Sequence, residues 1–376
     1  MKIALVHDYL KEIGGAERVL MALKEIWPQA DVYTAYKFPE YWGQFKEKLE
    51  EWNIGESWGA YLPFLPKFIS YYTVISPLFF TEMNLTDYDI VIVSATGGYF
   101  PNAVKIGENT RLVTYWHTPP RFLYGYPVAT NARFKWYWRP FSEVANHILR
   151  IVDFKLAQKP HVVIANSKNV ANRIRKFYRR ESEVIYPPIE TQETRNKKQE
   201  TKRKDYFLIV SRIVGTKNIE LAVEAANKYG FKLKVAGRPI NKGGEEIAKK
   251  IIGKTVEYLG EVDEKTKETL FSEATGFLAL ESDADFGMST VEPMVYGTPV
   301  VAFKAGGYLE TVVEGKTGIF FEELTAESVW KAVQKFNKVK WDRPEISKST
   351  KKYSAVNFKS RMIRLVGDTY AGIARN

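Results

Sequence analysis

The chain of 376 residues is long enough for two domains that each bury a core of their own. Lys and Arg number 55 against 44 Asp and Glu, and the net charge of +11 favours anionic partners: nucleotide phosphates, lipid headgroups or nucleic acid. The absence of cysteine excludes disulfides, thiolate metal sites and cysteine nucleophiles. The 4 histidines show no HExxH or similar metal-binding spacing.

The N-terminus reads as a strand and lacks the long apolar core of a signal peptide. The most apolar segment, residues 58–80, contains Lys67 and three prolines, which interrupt it too often for a membrane-spanning helix. We therefore expect a cytoplasmic protein, and peripheral attachment to the inner face of the cell membrane stays open.

Short β-rich runs alternate with helical patterns along nearly the whole chain, which predicts α/β domains with parallel sheets. In the first half, strands are predicted at residues 2–6, 31–34, 90–94, 112–115 and 162–165. Helices are predicted at residues 16–25, 141–157 and 168–178, and Ser167 is a suitable N-cap for the last of them.

The second half repeats this alternation. Strands are predicted at residues 206–211, 232–236, 256–258, 276–280 and 299–303. Helices are predicted at residues 218–228, 245–252, 265–274, 290–296, 308–313 and 326–336.

The domain boundary is predicted where Pro187 and Pro188 lead into a polar, charged stretch, residues 191–204, without apolar periodicity. We expect an N-terminal domain at residues 1–190 and a C-terminal domain at residues 191–353. A final helical pattern at residues 354–376 is expected to pack back across the boundary.

Two loops of the first half follow predicted strands, and ligands in open α/β sheets collect at the carboxyl ends of strands. The first loop ends at a helix start with Gly14 and Gly15, a weak signal when it stands alone. The second holds His117, followed by two prolines that keep the chain from becoming helical. A neutral imidazole there can bond a sugar hydroxyl or assist proton transfer, although a histidine satisfied within its loop is the alternative.

The most informative stretch is residues 281–301, in which a Phe286-Gly287 turn opens a helical pattern directly after a predicted strand. Helix starts of this kind point free backbone N–H groups outward and bind anions. Glu292, one turn further in, can accept hydrogen bonds from hydroxyls. Arg212 and Lys217 follow the first strand of the second half and suit a diphosphate. Together these features predict a nucleotide-sugar pocket.

Other charged groups have competing interpretations. Asp283 and Asp285 form an Asp-x-Asp pair that suits Mg²⁺ or Mn²⁺, but Arg212 and Lys217 already supply positive charge. Basic and aromatic residues crowd residues 121–141 and 168–180, which suits a membrane interface, single-stranded nucleic acid, or an ordinary solvated helix face.

Taken in order, these motifs resemble the GT-B retaining glycosyltransferases of family 4 along nearly the whole chain. The segment from His117 to Arg121 is similar to the mannosyltransferase branch related to WbaZ. The matching motifs are Gly14-Gly15-Ala16-Glu17, Ser211-Arg212 with Lys217, Phe286-Gly287 with Glu292, and Gly297-Thr298-Pro299-Val300-Val301 followed by Gly306-Gly307.

The resemblance implies two Rossmann-like domains facing a central cleft, with the nucleotide held mainly by the second. Glu292 would bind the ribose, His117 would contact the donor sugar, and Gly15 would let the first loop approach the phosphates. No metal and no other cofactor is expected. The diphosphate would be bound by Arg212, Lys217 and the segment Asp285, Phe286, Gly287, Met288 and Ser289.

One position departs from the family pattern Glu-x7-Glu. Counting back from Glu292 places the first Glu at position 284, where this chain has Ala284. That Glu normally addresses the donor sugar, so either Asp283 or Asp285 substitutes for it or the activity is weakened.

We therefore expect a retaining enzyme that moves a hexose, mannose from GDP-mannose first of all, to a glycan or lipid-linked acceptor in surface polysaccharide synthesis. An anionic membrane surface is a further candidate partner, whereas nucleic acid is not expected. The alternatives are a UDP-sugar-dependent transferase and a catalytically impaired sugar-nucleotide-binding protein. An oxidoreductase is disfavoured because no GxGxxG follows a first strand in either half.

Overall fold

The computed structural model describes residues 1–128, 139–190 and 202–373. They form two compact units. The first takes residues 1–126, 139–188 and 355–373, and the second takes residues 127–128, 189–190 and 202–354. Residues 129–138 of the basic and aromatic stretch, and residues 191–201 of the predicted linker, lie outside the described residues.

A parallel sheet of seven strands forms the centre of the first unit. Its strands, and the short β4 and β6 that pair only with each other, are β1 (Ile3–His7), β2 (Asp31–Thr34), β3 (Ile54–Glu56), β4 (Asn84–Leu85), β5 (Ile90–Ala95), β6 (Lys105–Ile106), β7 (Arg111–Trp116), β8 (Val162–Ala165) and β9 (Glu183–Val184). The spatial order is β3-β2-β1-β5-β7-β8-β9. From β1, the next strands in the sequence, β2 and β3, lie to one side, and the strands from β5 onward lie to the other. The junction of β1 and β5 is therefore the switch point of the sheet.

Both faces of this sheet are covered. Along β1, Ile3 and Leu5 pack into one apolar layer, whereas Ala4 and Val6 pack into the other. Strands buried on both faces read as continuous apolar runs, which is why the sequence reveals them. The α-helices of this part of the chain are α1 (Gly15–Ile26), α2 (Lys46–Glu50), α3 (Leu65–Tyr72), α4 (Ser76–Thr81), α5 (Arg139–Gln158) and α6 (Lys168–Tyr178).

The second unit is built around a parallel sheet of six strands. These are β10 (Phe207–Val210), β11 (Leu233–Ala236), β12 (Val256–Gly260), β13 (Gly276–Ala279), β14 (Val300–Phe303) and β15 (Gly318–Phe321). The spatial order is β12-β11-β10-β13-β14-β15, so the switch point lies between β10 and β13. Its α-helices are α7 (Ile219–Tyr229), α8 (Lys242–Lys250), α9 (Glu264–Glu273), α10 (Met288–Val295), α11 (Tyr308–Thr311), α12 (Ala326–Lys338) and α13 (Arg343–Ser349).

The final helix, α14 (Ala355–Ile373), belongs to the first unit although it follows the second in sequence. Its Phe358, Met362 and Val366 are buried in the core of the first unit, where Phe358 meets the Tyr115 ring edge-on at 6.0 Å. At the rim, Lys359 pairs with Glu25 at 2.8 Å. The first unit is therefore built from segments that both precede and follow the main part of the second unit in the sequence.

Two parallel α/β sheets confirm the predicted fold class. Within the described ranges, no helix is both long and apolar enough to span a bilayer.

Candidate nucleotide-sugar site

The switch point of the second sheet carries a small pocket. It opens beside the carboxyl ends of β10 and β13, where ligands of open α/β sheets are bound. Beyond the strand ends, its lining consists of Ser211, Lys217, Leu280, Glu281, Ser289 and Tyr308. Sequence reasoning named two of these residues, Lys217 and Ser289, as ligands of the diphosphate.

Lys217 is fixed at this pocket by the turn that carries it. It ends a short 3-10 turn, Gly215–Lys217, and the next residue, Asn218, has a left-handed backbone with φ 51°. The Asn218 side chain donates from Nδ2 to the carbonyl of Leu280 at 2.8 Å, which ties the turn to the end of β13. Lys217 Nζ lies 2.5 Å from Glu281 Oε2, and the two side chains are 23% and 13% exposed.

The pairing of Lys217 with Glu281 has a chemical consequence. A half-buried ammonium is costly without a counter-charge, and Glu281 supplies one. An incoming diphosphate carries more negative charge than one carboxylate and would compete with Glu281 for the same ammonium. Glu281 was not predicted as a site residue, because the two partners lie 64 positions apart in the sequence.

Gly287 is the N-cap of α10, in a left-handed conformation that favours glycine. Its φ is 87°, and a Cβ at this position would lie 2.7 Å from ring carbons of Tyr308. The left-handed turn places the amides of Met288 and Ser289 in the first helical turn, where the helix has no carbonyl of its own to receive them. Such amides, with the positive end of the helix dipole, attract phosphate groups.

A glycine pair supports this loop from behind. Gly307 donates its N–H to the Ala284 carbonyl at 2.7 Å, and a Cβ on Gly307 would lie 2.5 Å from the backbone of Phe286. Phe286 is buried, with its ring 5.2 Å from that of Tyr353. Ala284 is also buried, at 1% exposure. The predicted Gly306-Gly307 motif therefore shapes the turn by close backbone packing.

The remaining predicted residues differ in their exposure and in their distance from the pocket. Arg212 lies two residues beyond the end of β10, is exposed and is not among the residues that line the pocket, while Asp285 is half-buried. Glu292 projects from α10 with its side chain 22% exposed, and its Oε2 lies 3.9 Å from Lys267 Nζ. Across the described part of the chain, no group of three or more His, Cys, Asp or Glu is arranged to hold a metal ion.

The first unit presents a different kind of site at its own switch point. His117 follows β7 and is 9% exposed. Its Nε2 lies 2.9 Å from Ser94 Oγ, which in turn lies 3.1 Å from His7 Nδ1. His7 Nε2 lies 3.5 Å from Glu17 Oε1. Sequence reasoning named His117 and the Gly14-Gly15 loop, but not this connection.

Glu17 also explains the local role of the glycine loop. Gly14 is the N-cap of α1, Gly15 is its first residue, and the Gly14 N–H donates to Glu17 Oε2 at 2.8 Å. Asp8 orders the neighbouring loop, because its carboxylate accepts the amides of Thr96, Gly98 and Tyr99 at 2.8–3.0 Å. Burial raises the pKa of Asp8 from its ordinary value, although His7 and the amides of Tyr99 and Thr96 oppose the rise.

A third carboxyl of the first unit lies under the same edge. Asp153 lines a small cavity with Ala95 and Trp116, and its Oδ2 accepts hydrogen bonds from the Tyr124 and Tyr178 hydroxyls at 2.7 and 2.9 Å. Burial raises its pKa to about 7, against the opposing effect of the two hydroxyls. A perturbed carboxyl in a cavity is a signal that sequence reasoning could not supply.

The fold and the pocket define a two-domain α/β protein of the Rossmann type. Residues 13–193 match the family Glycosyltransferase Family 4, and residues 190–353 match Glycosyl transferases group 1. The chain therefore carries the two domains of a group 1/family 4 glycosyltransferase, and it is a glycosyltransferase.

Known proteins of this class are similar over most of the chain. Alpha-1,3/1,6-mannosyltransferase ALG2 of Dictyostelium discoideum is 25% identical over 379 residues, which cover 85% of each protein. The structure of HepE from Anabaena in complex with UDP superposes with a TM-score of 0.68 at 17% identity, over 98% of this chain and 100% of that one. Sucrose-phosphate synthase from Thermosynechococcus elongatus gives a TM-score of 0.68 at 16% identity, over 99% and 100%. The structural likeness shows a shared fold, that of the GT-B glycosyltransferases.

Proposed function

We propose that this glycosyltransferase moves mannose from GDP-mannose to a glycan or lipid-linked acceptor in surface polysaccharide synthesis, with retention of the anomeric configuration. The observation that carries the proposal is the pocket at the β10–β13 switch point, where Lys217 and the first turn of α10 meet. The choice of mannose is supported by the similarity to ALG2, an alpha-1,3/1,6-mannosyltransferase. A UDP-sugar donor is the main alternative, and it is supported only by the fold shared with HepE, whose structure contains UDP.

The reaction requires stabilisation of negative charge on the departing diphosphate while the sugar becomes oxocarbenium-like. Fixed donors do this best when they need no rearrangement during the reaction. The amides of Met288 and Ser289 are held by the Gly287 turn, and Lys217 is held by the Asn218 turn. Arg212 and Lys217 supply the positive charge in our proposal, and Glu292 binds the ribose.

Retention follows if the acceptor attacks the face from which the diphosphate leaves. We propose that an oxygen of the leaving diphosphate takes the proton of the acceptor hydroxyl as the new C–O bond forms and the old one breaks. Atoms and charge then balance without a protein nucleophile. His117 contacts the donor sugar in this scheme.

Turnover of GDP-mannose by an Arg212→Ala variant tests the charge argument. Loss of a guanidinium that opposes transition-state charge is expected to lower kcat by well over tenfold. Lys232→Ala, which removes an exposed cation before β11 at the opposite end of the same sheet, is the matched control. Near-normal turnover of Arg212→Ala would remove Arg212 from the mechanism.

Donor identity is best tested with a thermal-shift panel of nucleotide sugars, since a ligand raises the melting temperature according to its affinity for the folded state. GDP-mannose is expected to give the largest shift. A larger shift with any UDP-sugar would favour the alternative donor and leave the transferase assignment intact.

We also propose that the acceptor is reached at an anionic membrane surface. On α5, the exposed residues Val144, Ile148 and Ile151 recur at helical spacing, and Lys155 continues the same helix with an exposed cation. Apolar residues beside cations suit a lipid headgroup layer. Flotation with anionic liposomes at low salt is expected for the wild type and reduced for Ile148→Glu. Ile252→Glu, which changes an exposed isoleucine of the second unit, is the control. No flotation of the wild type would contradict the membrane proposal alone.

A binding protein with little transfer is a second candidate, and Ala284 is the observation that favours it. Ala284 is buried, so Ala284→Glu is informative only where the variant keeps the wild-type melting temperature, and in that case the restored carboxylate is expected to raise turnover about tenfold. Unchanged turnover would show that the carboxylate is dispensable here. Donor binding without transfer in both forms would support the binding protein.

A further inference from the structure

The helix α10 is too short and too interrupted to hold its position by its own hydrogen bonds. It has 8 residues, and Pro293 inside it lacks the N–H that would bond the carbonyl of Ser289. Isolated helices shorter than about 12 residues are marginal in water, so the position of α10 depends on the groups that contact it. That position matters because the amides of Met288 and Ser289, at its N-terminal end, bind the diphosphate in the proposed function.

Arg203 bonds the segment that follows α10 to a second helix. Its Nη2 donates to the Tyr296 carbonyl at 2.6 Å, and its Nη1 donates to Thr298 Oγ1, also at 2.6 Å. The same Nη1 lies 3.1 Å from the carbonyl oxygens of Phe271 and Ala274, at the C-terminal end of α9. One planar guanidinium therefore ties the end of α10 to the end of α9.

Arg343, the first residue of α13, holds the same end of α10. Its Nη1 donates to the Gly297 carbonyl at 3.1 Å and its Nη2 to the Thr275 carbonyl at 3.4 Å. Gly297 has φ 70°, and a Cβ there would lie 2.7 Å from the Arg343 carbonyl oxygen, so the two backbones pack directly. One turn later, Ser347 Oγ donates to the Val295 carbonyl at 2.7 Å.

The counter-charge for these arginines is the helix itself. Both side chains are half-buried, and neither guanidinium pairs with a carboxylate in the part of the chain that the structure describes. Burial and the neighbouring Arg343 lower the pKa of Arg203 to about 10, so it is still charged at neutral pH. Cations are favourable at the negative, C-terminal end of a helix dipole, where the last carbonyls have no intrahelical partner.

We propose that Arg203 and Arg343 are positioning residues. By holding the C-terminal end of α10, they keep the amides of Met288 and Ser289 directed at the diphosphate, and the inference thus rests on the function proposed above. A helix of this length spans about 12 Å, so the direct attraction between either guanidinium and the diphosphate is screened to a few-fold in affinity at most at physiological ionic strength. The placement of the helix is therefore the main effect.

Replacement of each arginine by lysine separates placement from charge, because lysine keeps the charge but not the planar fork of donors. Arg203→Lys is expected to weaken the binding of inorganic pyrophosphate about tenfold, and Arg343→Lys, which loses fewer hydrogen bonds, about threefold. Calorimetric titration measures both affinities. The matched control is Arg361→Lys, which changes an arginine of the first unit that donates to Glu183 at 2.7 Å, and it should bind pyrophosphate as the wild type does.

Hydrogen exchange supplies the second readout. In both lysine variants the amides of α10 are expected to exchange faster than in the wild type, while those of α12 stay unchanged. Wild-type affinity for pyrophosphate in Arg203→Lys would overturn the proposal even if its melting temperature fell, because the arginines would then serve stability alone. If Arg203→Lys does not fold, the affinity of Arg343→Lys decides in the same way.

Failure of the proposed function has a different signature. A wild type that binds neither pyrophosphate nor GDP would contradict the proposed pocket. The exchange rates of α10 would then decide whether the two arginines hold this helix, and unchanged rates in both variants would overturn the inference on its own.

Discussion

The carboxyl edges of the two sheets differ in how far their charged side chains are buried and in what those side chains contact. At the first edge the ionisable groups are largely removed from water: His7 is buried against Ser94, and the buried Asp8 carboxylate accepts backbone amides. At the second edge the charged groups remain partly exposed, and Lys217 is balanced by a single carboxylate, Glu281. The first edge thus holds a fixed hydrogen-bonding arrangement, whereas the second holds a charge that a stronger anion can take over.

The two edges also differ in the free energy needed to break their contacts. A buried network is rigid because each broken bond leaves an unsatisfied polar group, which costs about 1–3 kcal/mol. A partly exposed ion pair is worth only about 0–1 kcal/mol, so a diphosphate displaces it easily. In the function proposed above, the first edge orients the sugar and the second binds the nucleotide diphosphate.

The largest effect is expected in the first unit, where Asp153→Asn should raise the free energy of unfolding. The folded-state pKa of Asp153 is raised to about 7, so the folded protein retains a proton that the unfolded chain releases near pH 4. Stability from this group is therefore highest at low pH and is lost as the pH rises from about 4 to about 7. Asparagine carries no charge and can still accept from Tyr124 and Tyr178.

Urea unfolding at two pH values measures this directly. The gain of Asp153→Asn over wild type is expected to be about 1–2 kcal/mol at pH 5 and up to about 4 kcal/mol at pH 8. Asp87→Asn, an exposed aspartate of the same unit, is the matched control. A gain of equal size at both pH values would show that Asp153 is not held neutral by burial.

The next largest effect, on kcat and on GDP binding, is expected at the carboxyl edge of the second sheet. Lys217→Ala removes an ammonium from the pocket and should lower kcat about 100-fold, or about 2.7 kcal/mol, while weakening GDP binding. Steady-state kinetics and calorimetric titration of GDP measure the two quantities. Lys335→Ala, an exposed lysine of α12, is the control. A full kcat in Lys217→Ala would place the diphosphate elsewhere.

The smallest effect is expected from removing the Glu281 carboxylate, which competes with a diphosphate for the Lys217 ammonium in our proposal. Glu281→Gln leaves Lys217 without its counter-charge and is expected to tighten GDP binding about two- to fivefold at low salt, and less at high salt. Calorimetric titration at two ionic strengths tests this. Weaker GDP binding in Glu281→Gln would mean that Glu281 contacts the nucleotide itself.

The sequence was sufficient for the central strands and for the turn that opens α10. The predicted strands at residues 206–211 and 276–280 correspond to β10 and β13, because doubly buried strands read as apolar runs. Ser167 caps α6 as predicted, with its Oγ accepting the Val170 amide at 3.0 Å. Short elements such as β3, β9 and α13 were not predicted, since two to seven residues show too little periodicity and depend on their neighbours in space.

The site was predictable only where one segment of sequence contains it. The Phe286-Gly287 turn and Lys217 lie beside strand ends that the apolar pattern reveals. The partners Glu281 and Ser94 were missed because strand register, not sequence proximity, brings them to Lys217 and His7. Ser94 looks like an ordinary strand residue. One signal was available: His7 and His117 each follow a predicted strand, and both strands end at the same edge of the sheet.

A crystal structure of the protein with GDP tests the central claim most directly, namely that the pocket at the β10–β13 switch point holds a nucleotide diphosphate. We expect the diphosphate to lie within hydrogen-bonding distance of Lys217 Nζ and of the amides of Met288 and Ser289, with the Lys217–Glu281 pair opened. A pocket that stays empty at saturating GDP, or a diphosphate bound away from these groups, would contradict the account.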